Sequence, residues 1–120
     1  MKVLIVESNA ELGKLWRGHL VRQGAEVTLV HSQEDAILEL QKSDFDIMVL
    51  DLVLDNGSAL AISDFASYRR PETRVIFVTN TSFFSDGSIF AHSCNACAYV
   101  QSETPPEDLA AMVEHYASER

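Results

Sequence analysis

The feature that most constrains this chain is an alternation of five short apolar runs with stretches of helical period. The runs occupy residues 3–6, 27–30, 47–52, 75–78 and 98–100 and are rich in β-branched side chains. They are continuous rather than alternating, the pattern of strands covered on both faces in a parallel sheet. Between them, apolar residues recur three and four apart: Leu12, Leu15, Trp16 and Leu20; Ala36, Ile37 and Leu40; Leu60, Ile62 and Phe65. Ile89 and Phe90 mark a shorter helix, and Leu109, Met112, Val113 and Tyr116 supply the buried face of the last. Ser8 with Glu11 predicts a capping box for the first helix, and Ser32 precedes the second. Gly57 precedes the third, and Pro71 lies past its end. Thr104, Pro105 and Glu107 predict the N-cap, first position and box partner of the last.

This order, βαβαβαβαβα, predicts an α/β fold. Right-handed crossovers lay it down as a doubly wound five-stranded parallel sheet between two helical layers, with ligands at the carboxyl ends of the strands. With 120 residues, one domain spanning 1–120 is expected. The 18 acidic and 9 basic residues give a net charge of −9, which argues against nucleic-acid binding and against attraction to anionic membranes. The apolar runs are too short to span a bilayer, and the first meets Glu7 at once, unlike a signal peptide. Two cysteines call for no disulfide framework, so the cytoplasm is the expected compartment. Cys94 and Cys97 form a C-x-x-C that ends a helix instead of opening one, the wrong electrostatic end for a redox pair. They read as small core residues, and Trp16, at helical spacing, reads as core.

On such a fold, chemistry belongs just after each strand: Glu7 and Ser8, Asp51, Thr79, Gln101 and Ser102. An unpaired buried carboxylate costs several kcal/mol, so Asp51 must open onto solvent, a metal or a donor. Glu7 and Asp51 with a nearby hydroxyl suit a hard cation, since Mg²⁺ takes one or two carboxylates and completes its shell with water and phosphate oxygens. Asp51 could also accept a phosphoryl group as an acyl phosphate. Solvated strand ends are the alternative reading of both acids.

Four segments in this order make the chain resemble the receiver domain of two-component response regulators over essentially its whole length. Residues 3–9 (VLIVESN) look like the first strand and its acidic pair, and residues 50–58 (LDLVLDNGS) like the phosphoacceptor strand and loop. Residues 75–79 (VIFVT) look like the strand ending in the switch hydroxyl, and residues 95–100 (NACAYV) like the segment with the aromatic switch residue. The resemblance implies a flavodoxin-like (βα)5 fold. It further implies a signalling domain, not an enzyme, phosphorylated on Asp51 by a histidine kinase or phosphotransfer protein. Mg²⁺ would be held by Glu7, Asp51 and the backbone carbonyl of Val53, with Thr79 and Tyr99 as switch residues. A downstream partner or a second copy would dock on the face formed by the fourth helix, fifth strand and last helix. Phe83 and Phe84, apolar in a polar loop, are candidates for that patch.

The departures from the family pattern are specific. Ser8 stands where a second carboxylate is usual, Asp55 where a loop proline is usual, and Asn80 where a small residue is usual. Ser102 occupies the position of the family's phosphate-contacting lysine and Glu103 that of its proline neighbour. No lysine occurs after Lys42. A hydrogen bond involving a charged group is worth roughly 1.5–3 kcal/mol, so its loss should slow phosphoryl transfer on the order of tenfold or more. Ser8 reads as a helix cap, and Asp55 as a solvated loop acid rather than an extra cation ligand. The expectation is therefore an atypical receiver, with a phosphorylation-independent interaction adaptor as the alternative. An enzyme on the same fold, such as a flavin domain or phosphohydrolase, would lack its phosphate-cradling loop and paired catalytic Asp residues.

Overall fold

The computed structural model describes residues 1–55, 57–79 and 96–118. Its elements are β1 (Lys2–Val6), α1 (Ala10–Arg22), β2 (Glu26–Val30), α2 (Gln33–Lys42), β3 (Ile47–Asp51), α3 (Ala59–Arg69), β4 (Arg74–Thr79), β5 (Ala96–Gln101) and α4 (Pro106–Ala117). All five strands pair in parallel in the order β2-β1-β3-β4-β5. The chain reverses its direction of winding between β1 and β3, so the crevice of this doubly wound sheet lies at the carboxyl ends of those two strands. The helix expected around Ile89 and Phe90 falls outside the described residues.

The central strands carry the continuous apolar runs because helices cover both their faces. Val3, Ile5, Ile47, Val49, Ile76 and Val78 pack under α1 and α4, against Trp16, Leu20, Leu109 and Val113. Leu4, Val6, Met48, Leu50, Val75 and Phe77 face α2 and α3, against Ala36, Leu40, Ile62 and Ala66. The edge strands β2 and β5 are less buried, as the weaker apolar signal of the fifth run reflects. Cys97 is an extra residue in β5: Val75 pairs with Ala96 and Ile76 with Ala98, so the strand bulges there. Cys97 is half-buried at the edge of the core, and Cys94 lies outside the described residues.

Several local expectations are corrected by packing. In α1 the buried residues are Gly13, Trp16 and Leu20, while Leu15 is 47 % exposed. Gly13 lets this face approach β2 so closely that a Cβ there would sit 2.7 Å from a Leu29 methyl. Leu60 of α3 is likewise exposed, and the small Ala59, Ser63 and Ala66 are buried with Ile62. The last helix opens one residue later than the capping pattern predicts. Pro105 is the N-cap, at φ −53° and ψ 137°, and Pro106 is the first helical residue. A residue preceding proline is pushed out of the helical region, so Pro105 cannot begin the helix and Thr104 cannot cap it. Of α4, Ala110 and Ala117 are buried with Leu109 and Val113, while Met112 and Tyr116 pack partly against the core.

Candidate functional site

Val6 pairs with Leu50 across β1 and β3, which brings the next residues, Glu7 and Asp51, to the same level at the sheet's carboxyl edge. Strand alternation turns both toward the α1–α4 side. There they line a cleft of about 480 Å³ with Ser8, Asn9, Leu12, Val53, Asp55 and Ser102. The fold thus brings together six of the residues singled out from the sequence: Glu7, Ser8, Asp51, Val53, Asp55 and Ser102.

Glu7 is 2 % exposed, and its Oε2 is buried without a hydrogen-bond partner. This overturns the reading of Glu7 as a solvated strand end. Burial, then a hydrogen bond to Asp51 and that residue's charge, push the Glu7 carboxyl up to about 9, against the pull of the Ser8 and Asn9 backbone N–H groups. At neutral pH and without a cation, Glu7 therefore keeps its proton. Asp51 is more open, and its Oδ1 accepts a 3.0 Å hydrogen bond from the Val53 N–H. Leu52 donates to the Val78 carbonyl at 2.8 Å, fixing the start of the loop after β3.

Ser8 does not cap α1. That position belongs to Asn9, whose Oδ1 accepts from the Glu11 and Leu12 N–H groups, each at 3.1 Å. Ser8 Oγ instead accepts from the Asp55 N–H at 2.9 Å and ties the two loops beside the cleft together. Two adjacent residues of capping type compete here, and only the tertiary contact decides between them. The same loop turns at Gly57, where φ is +116° and a side chain would collide with Gln33. Gln33 Oε1 accepts the Ser58 N–H at 2.8 Å, and Ser58 caps α3. Two further contacts at the site carry no local sequence signal. Leu12 forms a wall of the cleft, and His31 Nδ1 donates to the Glu7 carbonyl at 2.8 Å, which places the ring proton on Nδ1.

Thr79 and Tyr99 are not among the residues that line the cleft. Thr79 is buried at the end of β4, and Tyr99 is half-buried on the α2–α3 side, beside its strand partner Phe77. The Ser102 N–H donates to the Thr79 carbonyl at 2.7 Å, so the two are linked through the backbone. Asn80, Phe83 and Phe84 lie outside the described residues.

The donor set fits a small divalent cation. The orphaned Glu7 Oε2 and the Asp51 carboxyl are hard oxygens on one cleft floor, the one or two carboxylates that Mg²⁺ takes. Among the described residues, no cluster of three His, Cys, Asp or Glu forms a metal site, and Asp55 is exposed.

A model of the response regulator receiver domain matches residues 3–114. The chain belongs to the response regulator receiver domain family. Its fold is shared with the CheY-like receiver domain protein of Methanospirillum hungatei, at TM-score 0.89 and 19 % identity over 98 % of this chain and 94 % of that one. It is similar to the BeF3-activated receiver domain of DrrB, from Thermotoga maritima, at TM-score 0.85 and 29 % identity over 99 % and 97 % of the two chains. The response regulator TrrA of Thermotoga maritima, solved in complex with Mg²⁺-BeF, shares the fold at TM-score 0.83 and 17 % identity over 96 % and 97 %. No curated protein sequence matches the chain significantly. Receivers are signalling domains of two-component systems, and no described helix of this one is long and apolar enough to cross a membrane.

Proposed function

We propose that this receiver takes a phosphoryl group on Asp51 from a histidine kinase or phosphotransfer protein and signals to a downstream protein through its surface. The observation that carries this reading is the buried, unpartnered Glu7 Oε2 beside Asp51 on the floor of the cleft. In the reaction, an Asp51 carboxylate oxygen bonds to phosphorus as the bond from phosphorus to the donor breaks, leaving an acyl phosphate. Glu7, Asp51 and the Val53 carbonyl would hold Mg²⁺, which when bound neutralises charge on the carboxylates and the phosphoryl oxygens. The Val53 N–H fixes Asp51 Oδ1, and Ser8 holds the neighbouring loop at Asp55. The Thr79 hydroxyl and Tyr99 are the groups that relay the change to the α2–α3 side.

A second reading has its own observation. No cationic side chain is among the described residues lining the cleft, and Ser102, in the lysine's place, is several ångströms too short to act as one. That favours an adaptor that signals without phosphate. Incubation with Mg²⁺ and a small acyl-phosphate donor, followed by intact-mass measurement, separates the two. A single phosphate adduct that is absent in Asp51→Asn is the expected result. No adduct at saturating donor, together with no binding of a beryllofluoride mimic, would overturn phosphorylation and leave the adaptor.

A further inference from the structure

The nine lysines and arginines of this chain are sorted by edge of the sheet. Lys2 and Arg74 open β1 and β4, while Arg22, Lys42 and Arg69 close α1, α2 and α3, helices that run back against the strands. All five therefore lie toward the amino edge. Lys14 and Arg17 stand mid-helix on α1, exposed and outside the cleft. The carboxyl edge is the reverse. The first turns of α1, α2 and α4 place Glu11, Glu34, Asp35, Glu107 and Asp108 there, and Asp55 and Glu103 are exposed in the loops. Helix dipoles favour acids in first turns, but nothing comparable offsets the carboxylates of the cleft itself. Its other polar lining is neutral: Ser8, Asn9 and Ser102. Two backbone hydrogen bonds pin the turn that carries Ser102, from its N–H to the Thr79 carbonyl at 2.7 Å and from the Thr104 N–H to the Gln101 carbonyl at 3.0 Å. Neither the described lining nor any residue from 75 to 119 offers this cleft a lysine or an arginine.

We propose that the cleft takes a primary ammonium from outside the chain, a lysine side chain of the protein that docks on this edge, and that this group completes the site for phosphoryl transfer. The inference rests on the reading of Asp51 as phosphoacceptor. A phosphoryl group brings further negative charge to a cleft floored by Glu7, whose buried Oε2 has no partner, and Asp51. Charge that develops on its oxygens calls for a fixed cationic donor. The cleft holds about 480 Å³, and Leu12 and Val53 offer apolar wall along which an alkyl stem can lie with its charged head at the floor. As the bond from phosphorus to the donor breaks and the bond to Asp51 forms, the ammonium donates an N–H to a phosphoryl oxygen and keeps all its protons. A docked protein supplies this group at high effective concentration, which a free amine lacks, and the acidic edge attracts a basic surface.

Intact-mass kinetics of Asp51 phosphorylation by a small acyl-phosphate donor, in Mg²⁺ at neutral pH, test this with propylammonium as the probe. The rate should rise to saturation by about tenfold, the worth of a charged hydrogen bond, whereas tetramethylammonium, which has no N–H, should do nothing at equal ionic strength. Ser102→Lys should be fast without the amine and indifferent to it. A capped tripeptide of one lysine between two arginines should reach half-effect at roughly a tenth of the propylammonium concentration, drawn by the acidic edge. With beryllofluoride in place of the donor, propylammonium should shift the NMR amide signals of Leu12 and Ser102. An adduct whose rate ignores propylammonium, or rises equally with tetramethylammonium, overturns the inference and leaves phosphorylation of Asp51 standing. Unshifted amides do the same. Equal half-effects for peptide and amine overturn the protein source. No adduct in wild type or Ser102→Lys, with or without amine, overturns phosphorylation of Asp51 itself and this inference with it.

Discussion

Replacing Glu7 with Gln should remove a pH dependence from the stability of the whole domain. The Glu7 carboxyl ionises near 4.5 in an unfolded chain and at about 9 in the folded one. Its folded pKa is raised, so the folded state binds the proton more tightly. The stabilisation is complete below about pH 4.5 and is lost as the pH climbs toward 9. Between those limits the folded protein holds about one more proton than the unfolded, a slope of about −1.4 kcal/mol per pH unit. From pH 6 to pH 8 the group therefore withdraws up to about 3 kcal/mol, a sizeable part of the 5–15 typical of a domain. Urea unfolding of wild type and Glu7→Gln at both pH values, in chelator, measures the difference directly. The glutamine keeps the size and a hydrogen-bond donor but has no proton to lose. Relative to wild type, the variant should gain stability as the pH rises, by up to that amount. Saturating Mg²⁺ should narrow the gap, since the cation takes the proton's place and releases it. Parallel stability curves for the two proteins from pH 6 to 8 would refute both the burial argument and the assignment of Glu7 as the site's hidden charge.

Three further outcomes are expected. Ser8→Ala leaves the Asp55 N–H without its side-chain acceptor; the loss should be about 1 kcal/mol, with faster amide exchange at Asp55 and Val53 by NMR and little change in α1. Asn9→Ala removes the acceptor for two backbone N–H groups at the start of α1 and should lower stability by about 1 kcal/mol in urea, which the reverse assignment of the cap to Ser8 does not predict. Ser102→Lys puts a cation on the wall of the cleft, and the rate of adduct formation on Asp51 from an acyl-phosphate donor should rise on the order of tenfold by intact mass.

Much of this molecule was legible in its linear order. The continuous apolar runs reported a two-sided sheet because central strands need apolar residues at every position, not every second one. The positions just beyond those runs pointed to the candidate cleft, since a parallel sheet brings its strand ends to one edge. Helix faces were harder to read. Leu15 and Leu60 look buried by spacing, but α1 and α3 approach the sheet through Gly13 and through Ala59, Ser63 and Ala66, residues whose smallness counts as no hydrophobic signal.

By itself, then, the order of residues determined the layers, the strand sequence and the identities of Glu7, Asp51, Val53, Thr79, Tyr99 and Ser102 as groups at or near strand ends. The tertiary structure decided what kind of groups they are. Glu7 and Asp51 share one side of the sheet while Thr79 and Tyr99 face the other, a division set by strand pairing. Glu7 is buried beside Asp51, Val53 and Ser102, residues far along the chain that only the folded sheet brings to its cleft. The task of Ser8 was settled by the same kind of contact, with a backbone N–H forty-seven residues away. Local spacing carries information about period and caps; the protonation of a carboxyl is set by what other segments exclude from around it.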